Sequence, residues 1–378
     1  MKKRILSLFL ALLLLTGCAA PAAEQPETPS QDTAVEETAP TTEETTAPAD
    51  VTAETVEFTD SVGRTVTVPA NITKVAVSGP MAQIVLFALC PDLLVGIANE
   101  WDDSAAQFLD TEYYNLPLLG QLYGGQEAMN GEALLASGAE VVIDVGEPKD
   151  TVVEDLDTLQ EQTGVPFVHI SATTKTMGDA YRQLGKLLNR TDEAEVLATY
   201  CEDTYARAEE LAASVDKVDV LYVTGSQGLN VIAQGSYHAE LLDLMTNNVA
   251  VVESPSSKGT GNEVSMEQLL VWNPEVLLFA PDSIYDTVAE NDGYAQMTAI
   301  QTGRYYEAPM GPYNWMGFPP SVQRYLGLLW MGALLYPDAI DYDLQEEVTK
   351  YFDLFYHCDL TTEQYEALVA NSIGKLEG

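Results

Sequence analysis

From residue 54 onward, short apolar runs alternate with stretches in which apolar residues recur every three or four positions. Val56-Glu-Phe58 and Val66-Thr-Val68 alternate apolar and polar residues around Asp60-Ser-Val-Gly63, the pattern of a β-hairpin. Val75–Ser78 then predicts a strand, Pro80–Leu89 a helix, and Leu94–Ala98, Val141–Asp144 and Phe167–Ile170 further strands. Strands separated by helix-length segments indicate a parallel α/β architecture. The stretch Thr176–Val215 departs from this rhythm: Met177, Ala180, Tyr181, Leu184, Leu187 and Leu188 hold helical spacing, and Val196, Leu197, Tyr200, Tyr205 and Leu211 continue it. It contains no proline, only Gly178 and Gly185 as glycines, and Asn189 marks where it would break. That is more helix than a βαβ crossover needs. The strand pattern resumes at Val218–Thr224, Val231–Ala233, Val249–Val252 and Val276–Phe279. The expected fold is therefore α/β, with two Rossmann-like lobes joined by a long helix and a ligand cleft between them. The boundaries are an N-terminal lobe at 54–175, a connecting helix at 176–215 and a C-terminal lobe with terminal helices at 216–378.

An internal echo supports two related lobes. Asn130-Gly-Glu132-Ala-Leu-Leu135 precedes Ala139-Glu-Val-Val-Ile-Asp144, and Ser265-Met-Glu267-Gln-Leu-Leu270 precedes Pro274-Glu-Val-Leu-Leu-Phe279. A helix packed on a parallel strand explains the leucines and aliphatics. It does not demand Glu132 or Glu267, although a carboxylate near a helix N-terminus gains about 0.3–1 kcal/mol from the helix dipole.

The start of the chain changes the picture of where the lobes operate. Lys2, Lys3 and Arg4 precede the apolar stretch Ile5–Leu15, and Thr16-Gly17-Cys18 closes it with small residues. A charged start, a short apolar run and small residues are the marks of an export signal, here 1–17. The run is too short for a comfortable membrane span. Leu15-Thr16-Gly17-Cys18 resembles the lipobox of bacterial lipoproteins, which implies that Cys18 is acylated and becomes the N-terminus. An ordinary cleaved signal would leave Cys18 incidental, but small residues run right up to it. Residues 18–53 hold almost only Ala, Pro, Thr, Glu, Gln and Asp, with too little apolar surface to offset ordering entropy. They read as a disordered acidic linker that lifts the lobes off the outer face of the cytoplasmic membrane.

With 17 Lys+Arg against 58 Asp+Glu, the formal charge is −41, spread along the chain. No basic patch exists to replace phosphate counterions, so nucleic acid is excluded as a partner. Apart from Cys18, the cysteines are Cys90, Cys201 and Cys358, an odd number with no zinc spacing, and they read as structural. Catalysis finds little support. His169, His238 and His357 stand in unrelated contexts and read as surface or core residues, and there is no Gly-x-Ser-x-Gly, His-Glu-x-x-His or Walker-type loop. Neither a catalytic residue nor a direct metal ligand or cofactor is expected.

Aromatic and small polar residues gather instead in loops after expected strands: Trp101, Tyr123-Gly124-Gly125, and Tyr313-Asn314-Trp315 in the Gly- and Pro-rich segment 309–320. Ligands of open α/β sheets bind beyond the carboxyl ends of the strands, in pockets with aromatic walls and few polar groups. Trp315 has no core periodicity to explain it. In Phe318-Pro-Pro-Ser321-Val-Gln-Arg324, Ser321 reads as the N-cap of a helix whose free N–H groups face an anion.

From Val56 on, the chain resembles the substrate-binding proteins of ABC importers for iron chelates, haem and cobalamin, the class with a rigid helical backbone between lobes. The residues that carry this are Phe58-Thr-Asp60-Ser-Val-Gly63-Arg64-Thr-Val-Thr-Val-Pro69, the two Glu-x-Leu-Leu units, and Asn314-Trp-Met-Gly-Phe-Pro-Pro-Ser321 through Leu334-Leu-Tyr-Pro337. The resemblance implies a monomeric receptor that delivers a metal chelate to an ABC permease and its ATPase, with Glu132 and Glu267 meeting arginines of the permease. The expected ligand-binding set is Met81, Trp101, Tyr123, Gly124, Asn262, Tyr313, Asn314, Trp315 and Arg324. Two alternatives stay open: a molybdate or tungstate oxyanion receptor on the same fold, and a surface enzyme or non-transport sensor.

Overall fold

The computed structural model describes residues 54–123 and 128–373. The expected signal, the Cys18 lipidation site, the linker up to residue 53 and Gly124 lie outside the described residues. The described residues form one compact unit.

The hairpin forms as its alternation predicts: β1 (Thr55–Thr59) pairs antiparallel with β2 (Thr65–Pro69). The Asp60 carboxylate closes the turn by accepting from the Val62 and Arg64 N–H groups, and Gly63 supplies the left-handed φ of +82°.

The N-terminal lobe runs β3 (Val75–Val77), α1 (Pro80–Leu89), α2 (Thr111–Tyr114), α3 (Gly131–Ser137), β4 (Val141–Gly146), α4 (Val152–Thr163) and β5 (Phe167–Ser171). Its strands form a parallel sheet in the order β3-β4-β5. Leu94–Ala98 is not a strand; it touches the sheet only through single bridges such as Val75↔Leu94. The buried Gln83 side chain accepts from Ala98 N (2.8 Å) and Asn99 N (3.2 Å), which takes those groups out of any ladder.

The helical stretch folds as a hairpin of two helices, α5 (Met177–Leu188) and α6 (Thr191–Ser214). Asn189 ends the first in the left-handed region at φ 56°, a position that Asn tolerates. Gly185 permits the close approach, since a Cβ there would sit 2.5 Å from the Ala194 methyl.

The C-terminal lobe follows with β6 (Asp219–Thr224), β7 (Asn230–Val231), α7 (Glu240–Met245), β8 (Asn247–Asn248), β9 (Asn262–Glu263), α8 (Met266–Trp272), β10 (Val276–Phe279), α9 (Thr298–Gln301) and β11 (Tyr305–Glu307). Three further helices follow: α10 (Arg324–Leu335), α11 (Leu344–Tyr356) and α12 (Thr362–Val369). The sheet order is β11-β10-β6-β7-β9, with β8 also on β6, and β11, β10, β6 and β8 run parallel. The strand expected at Val249–Val252 forms two residues earlier, because Asn248 turns its amide back and accepts from Ala250 N at 3.1 Å.

Both sheets are covered on both faces, as parallel sheets require. Along β4, Val141, Ile143 and Val145 face the large central core while Val142 faces an outer cluster with Leu134, Leu156 and Phe167. Along β6 and β10, Val220, Tyr222, Val276 and Leu278 face the same central core, and Leu221, Val223, Leu277 and Phe279 face the outer helices. The central core is the helical spine. α6 spans roughly 36 Å at 1.5 Å per residue and packs on α1 of one lobe and on α7 and α10 of the other. α11 packs on α1 as well as α10, bringing the His357 imidazole to the Phe87 carbonyl (3.2 Å) and stacking Phe355 on Tyr351 at 4.3 Å, with Tyr200 edge-on.

Candidate functional site

The carboxyl ends of the strands in the two lobes face one another across a narrow seam. Met81, Ala172, Thr173, Thr174 and Met177 line it from one side, and Tyr237, Pro320, Ser321, Arg324 and Tyr325 from the other. The Tyr325 hydroxyl donates to the Thr174 carbonyl (2.6 Å) and the Ser321 hydroxyl to the Met81 carbonyl (3.4 Å). Ser321 therefore does not cap α10. That helix begins at Arg324, and its N-terminus is buried behind Gln323 instead of opening onto a ligand.

Arg324 is the central charge of the seam. Its guanidinium is 2% exposed, with Nη1 paired to Glu240 at 2.6 Å and 3.3 Å from the Thr174 hydroxyl. Nη2 donates to the Tyr237 carbonyl at 3.0 Å, and the Tyr237 ring lies 5.2 Å away. Nε is buried without a partner, against Gly317, where a Cβ would come within 2.4 Å. Burial pulls the guanidinium below its ordinary pKa, and Glu240 opposes that shift. Arg324 is thus committed to a buried ion pair and presents no free charge, contrary to its expected role as a ligand contact.

A second pocket adjoins the seam within the C-terminal lobe, beyond the ends of β6 and β10. Tyr222, Thr224, Thr260, Asp282 and Asn314 supply its polar groups, and Ile232, His238, Met316 and Phe318 its apolar wall. Phe318 is 58% exposed although it is a large aromatic, and Gly259 makes room for its ring. His238 stands 6.3 Å from Phe318 and 5.4 Å from Tyr237, ring to ring. Burial, then Arg324, lowers the imidazole pKa below 6.5, so the ring is neutral at physiological pH. The open space measures about 40 Å³, room for a water molecule or two. A larger ligand enters only if the lobes part or the 313–321 loop swings.

The remaining expected ligand residues divide. Met81 lines the seam, with its methyl 3.0 Å from where a Cβ on Gly146 would stand, and Asn314 lines the pocket, held by Tyr222 at 3.0 Å. Tyr123 is half-buried at the mouth of the N-terminal lobe, its hydroxyl on Asp155 (2.9 Å) and Lys149 over its ring at 4.1 Å. Asn262 is spent on its own loop, bonding Ser254 and Ser256, and so positions Gly259 and Thr260 without reaching the pocket. Trp101, Tyr313 and Trp315 need correction. Trp101 is wedged between Phe87 (5.3 Å) and Tyr313 (5.7 Å) in the core, and the Tyr313 hydroxyl accepts from buried Gln83 at 3.1 Å. Trp315 is fully buried, its backbone against Gly327 of α10. These aromatics join the lobes; they do not line the cleft. Phe318, His238 and Tyr237 were missed. Phe318 carried a usable signal, since a Phe followed by two prolines cannot be buried on a helix or in a ladder.

Beneath the N-terminal side of the seam, Asp144 accepts from the Ser78 hydroxyl and pairs with His169 Nδ1 at 2.7 Å. In a hydrolytic triad the imidazole lies between carboxylate and hydroxyl. Here the carboxylate lies in the middle, so nothing activates Ser78. Among the described residues, no group of three or more His, Cys, Asp and Glu converges to hold a metal, and no helix is long and apolar enough to cross a membrane.

Glu132 and Glu267 occupy the same place on their helices. Asn130 and Ser265 do the capping, accepting from backbone N–H groups, which leaves each glutamate exposed at the second helical position. The Glu267 carboxyl is held below its usual pKa by its own backbone N–H and then by the Ser265 hydroxyl.

A family profile described as periplasmic binding protein matches residues 124–310. The match covers just under half of the chain. Among solved structures, an ABC transporter solute binding protein from Sulfurospirillum deleyianum is 26% identical, covering 83% of this chain and 99% of its own, with a TM-score of 0.75. A periplasmic solute binding protein from Veillonella parvula is 25% identical over 84% of this chain and 98% of its own (TM-score 0.71). A molybdate periplasmic binding protein from Haemophilus influenzae, bound to molybdate, is 20% identical over 81% and 99% (TM-score 0.64), a likeness of fold alone. No match was found among curated proteins. Residues 124–310 thus match the periplasmic binding protein profile, and the solved structures that resemble the chain over more than four-fifths of its length are solute-binding proteins of ABC transporters.

Proposed function

We propose that the protein captures a metal chelate of the ferric siderophore, haem or cobalamin type and hands it to an ABC importer permease. The observation that carries this reading is the aromatic wall of exposed Phe318 with half-buried His238 and Tyr237, beside a pocket that mixes apolar and polar groups. An exposed aromatic face suits the apolar periphery of a large chelate, and an oxyanion gains nothing from it. Glu132 and Glu267, one at an equivalent place on each lobe, serve as the permease contacts, and Cys18 as the lipid anchor. The test is native mass spectrometry with metal analysis on protein purified from its own host. One metal per chain with an organic ligand is expected, and Phe318→Ala should weaken that binding by about 1–3 kcal/mol. An oxyanion alone, or a metal-free ligand, refutes the reading. The anchor is tested separately: Cys18→Ser should release the protein from membranes or leave its precursor unprocessed.

A further inference from the structure

The chelate reading leaves open which charge the ligand carries, and the seam bears on that question. Its one buried cation, Arg324, is occupied by Glu240 at 2.6 Å and further held by the Tyr237 carbonyl. Glu147, from the end of β4, acts on the same guanidinium from the opposite lobe. Asp282 in the pocket adds a carboxylate, whereas Asp144, beneath the N-terminal side, is already paired with His169 at 2.7 Å. The nearby cations are otherwise engaged or peripheral. Lys149 is turned onto the Tyr123 ring at 4.1 Å, Lys175 is paired with Glu209 at 2.7 Å, and Lys258 is exposed on the loop that carries Gly259 and Thr260.

Resting on that reading, the geometry points to Glu240 as the residue that sets the charge class of the ligand: it keeps Arg324 from anions, so the cleft takes a neutral or cationic metal complex. An anionic chelate or oxyanion would have to displace a carboxylate from a buried ion pair and then sit among the remaining acids. Carboxylates left without a counter-charge in a partly desolvated cleft repel an incoming anion, because the low effective dielectric there leaves the repulsion poorly screened. A Gln at position 240 would keep the shape and hydrogen-bonding reach of Glu240 but leave the guanidinium its charge to offer.

The experiment has two arms. Native mass spectrometry of the loaded wild-type protein gives the ligand's formal charge, expected to be zero or positive. Calorimetric titration then compares wild type, Glu240→Gln, Glu240→Asp and Lys258→Gln with ferric enterobactin, a trianionic tris-catecholate, and with molybdate. Glu240→Gln should gain affinity for at least one of these anions by on the order of tenfold or more. Glu240→Asp, which keeps the charge, should behave as wild type. An anionic native ligand overturns the proposal and leaves the receptor reading standing. So does a Glu240→Gln protein that is folded by circular dichroism yet gains no anion affinity, or a selectivity that moves with Lys258→Gln instead. Absence of any metal complex on the native protein refutes the receptor reading, and the charge assignment falls with it. If Glu240→Gln fails to fold, the charge of the native ligand still decides.

Discussion

Replacing Trp315 by alanine should damage the fold and spare the binding chemistry. The side chain is 0% exposed in the central core, and its indole N–H is 3.4 Å from the Gly311 carbonyl, too long to contribute much. The cost is therefore that of removing a large core side chain, about 3–5 kcal/mol for Trp→Ala. Unfolding entropy near 2.1 cal/mol/K per residue, over roughly 320 ordered residues, comes to about 0.67 kcal/mol/K. The melting temperature should then fall by about 4–8 °C, measured by calorimetry on ligand-free protein. Ligand affinity below the new transition should be close to that of the wild type. Phe318→Ala is the matched control: 58% exposed, it should melt within a degree or two of the parent while losing affinity. An unchanged melting temperature for Trp315→Ala, coupled to lost binding, would show that the indole reaches the ligand and that the burial argument is wrong.

Three further outcomes are expected. Charge reversal at both Glu132 and Glu267 should abolish uptake and leave ligand affinity unchanged, while loss of the carboxylates from two helix N-termini costs about 0.3–1 kcal/mol of stability each and Asn130 and Ser265 keep the helices capped; lost ligand binding with an intact fold would refute the docking role. Burial pushes the Cys90 thiol up to about 12 and the Cys201 thiol higher, so at pH 8 a thiol reagent should label only half-buried Cys358 in the folded domain, with Cys90 and Cys201 reacting after denaturation. His238 has a folded pKa below 6.5, so the unfolded chain binds the extra proton and stability is lost as pH falls from about 6.5 toward the folded value; His238→Gln should flatten that segment of the stability–pH curve, and an identical slope in both proteins would count against the burial of a neutral ring.

The sequence made the architecture readable because periodicity and burial coincide. Val276–Phe279 is apolar at every position since both faces of β10 are covered, and α1 appeared in full because Pro80 opens it and Pro91 follows it. Leu94–Ala98 misled, because its N–H groups go to separate partners, Val95 to Val75, Ile97 to Pro117 and Ala98 to the Gln83 side chain, and no local pattern encodes that. The same limit applied to the site. Trp101, Tyr313 and Trp315 stand in irregular loops, which suggested ligand contact, but the loops fold back into the core between the lobes. Aromatic residues in a loop say that something large is packed there, not whether the neighbour is protein or ligand. Arg324 was visible as a cation, while its partner Glu240 lies 84 positions earlier and only the tertiary fold brings the two together.

The return of α11 onto α1 has a consequence for how the chain reaches its native state. His357 meets Phe87 across 270 positions of sequence, and contacts of such separation slow folding because the intervening chain must be ordered first. A polypeptide threaded outward from its N-terminus exposes one apolar flank of α1 until almost the last helix has emerged. The first lobe therefore cannot be completed as it appears, and it stays open to self-association throughout synthesis. Cutting the chain just after α10 would strip the cover from a helix at the opposite end of the sequence, so the lobe that unravels would be the one synthesised first.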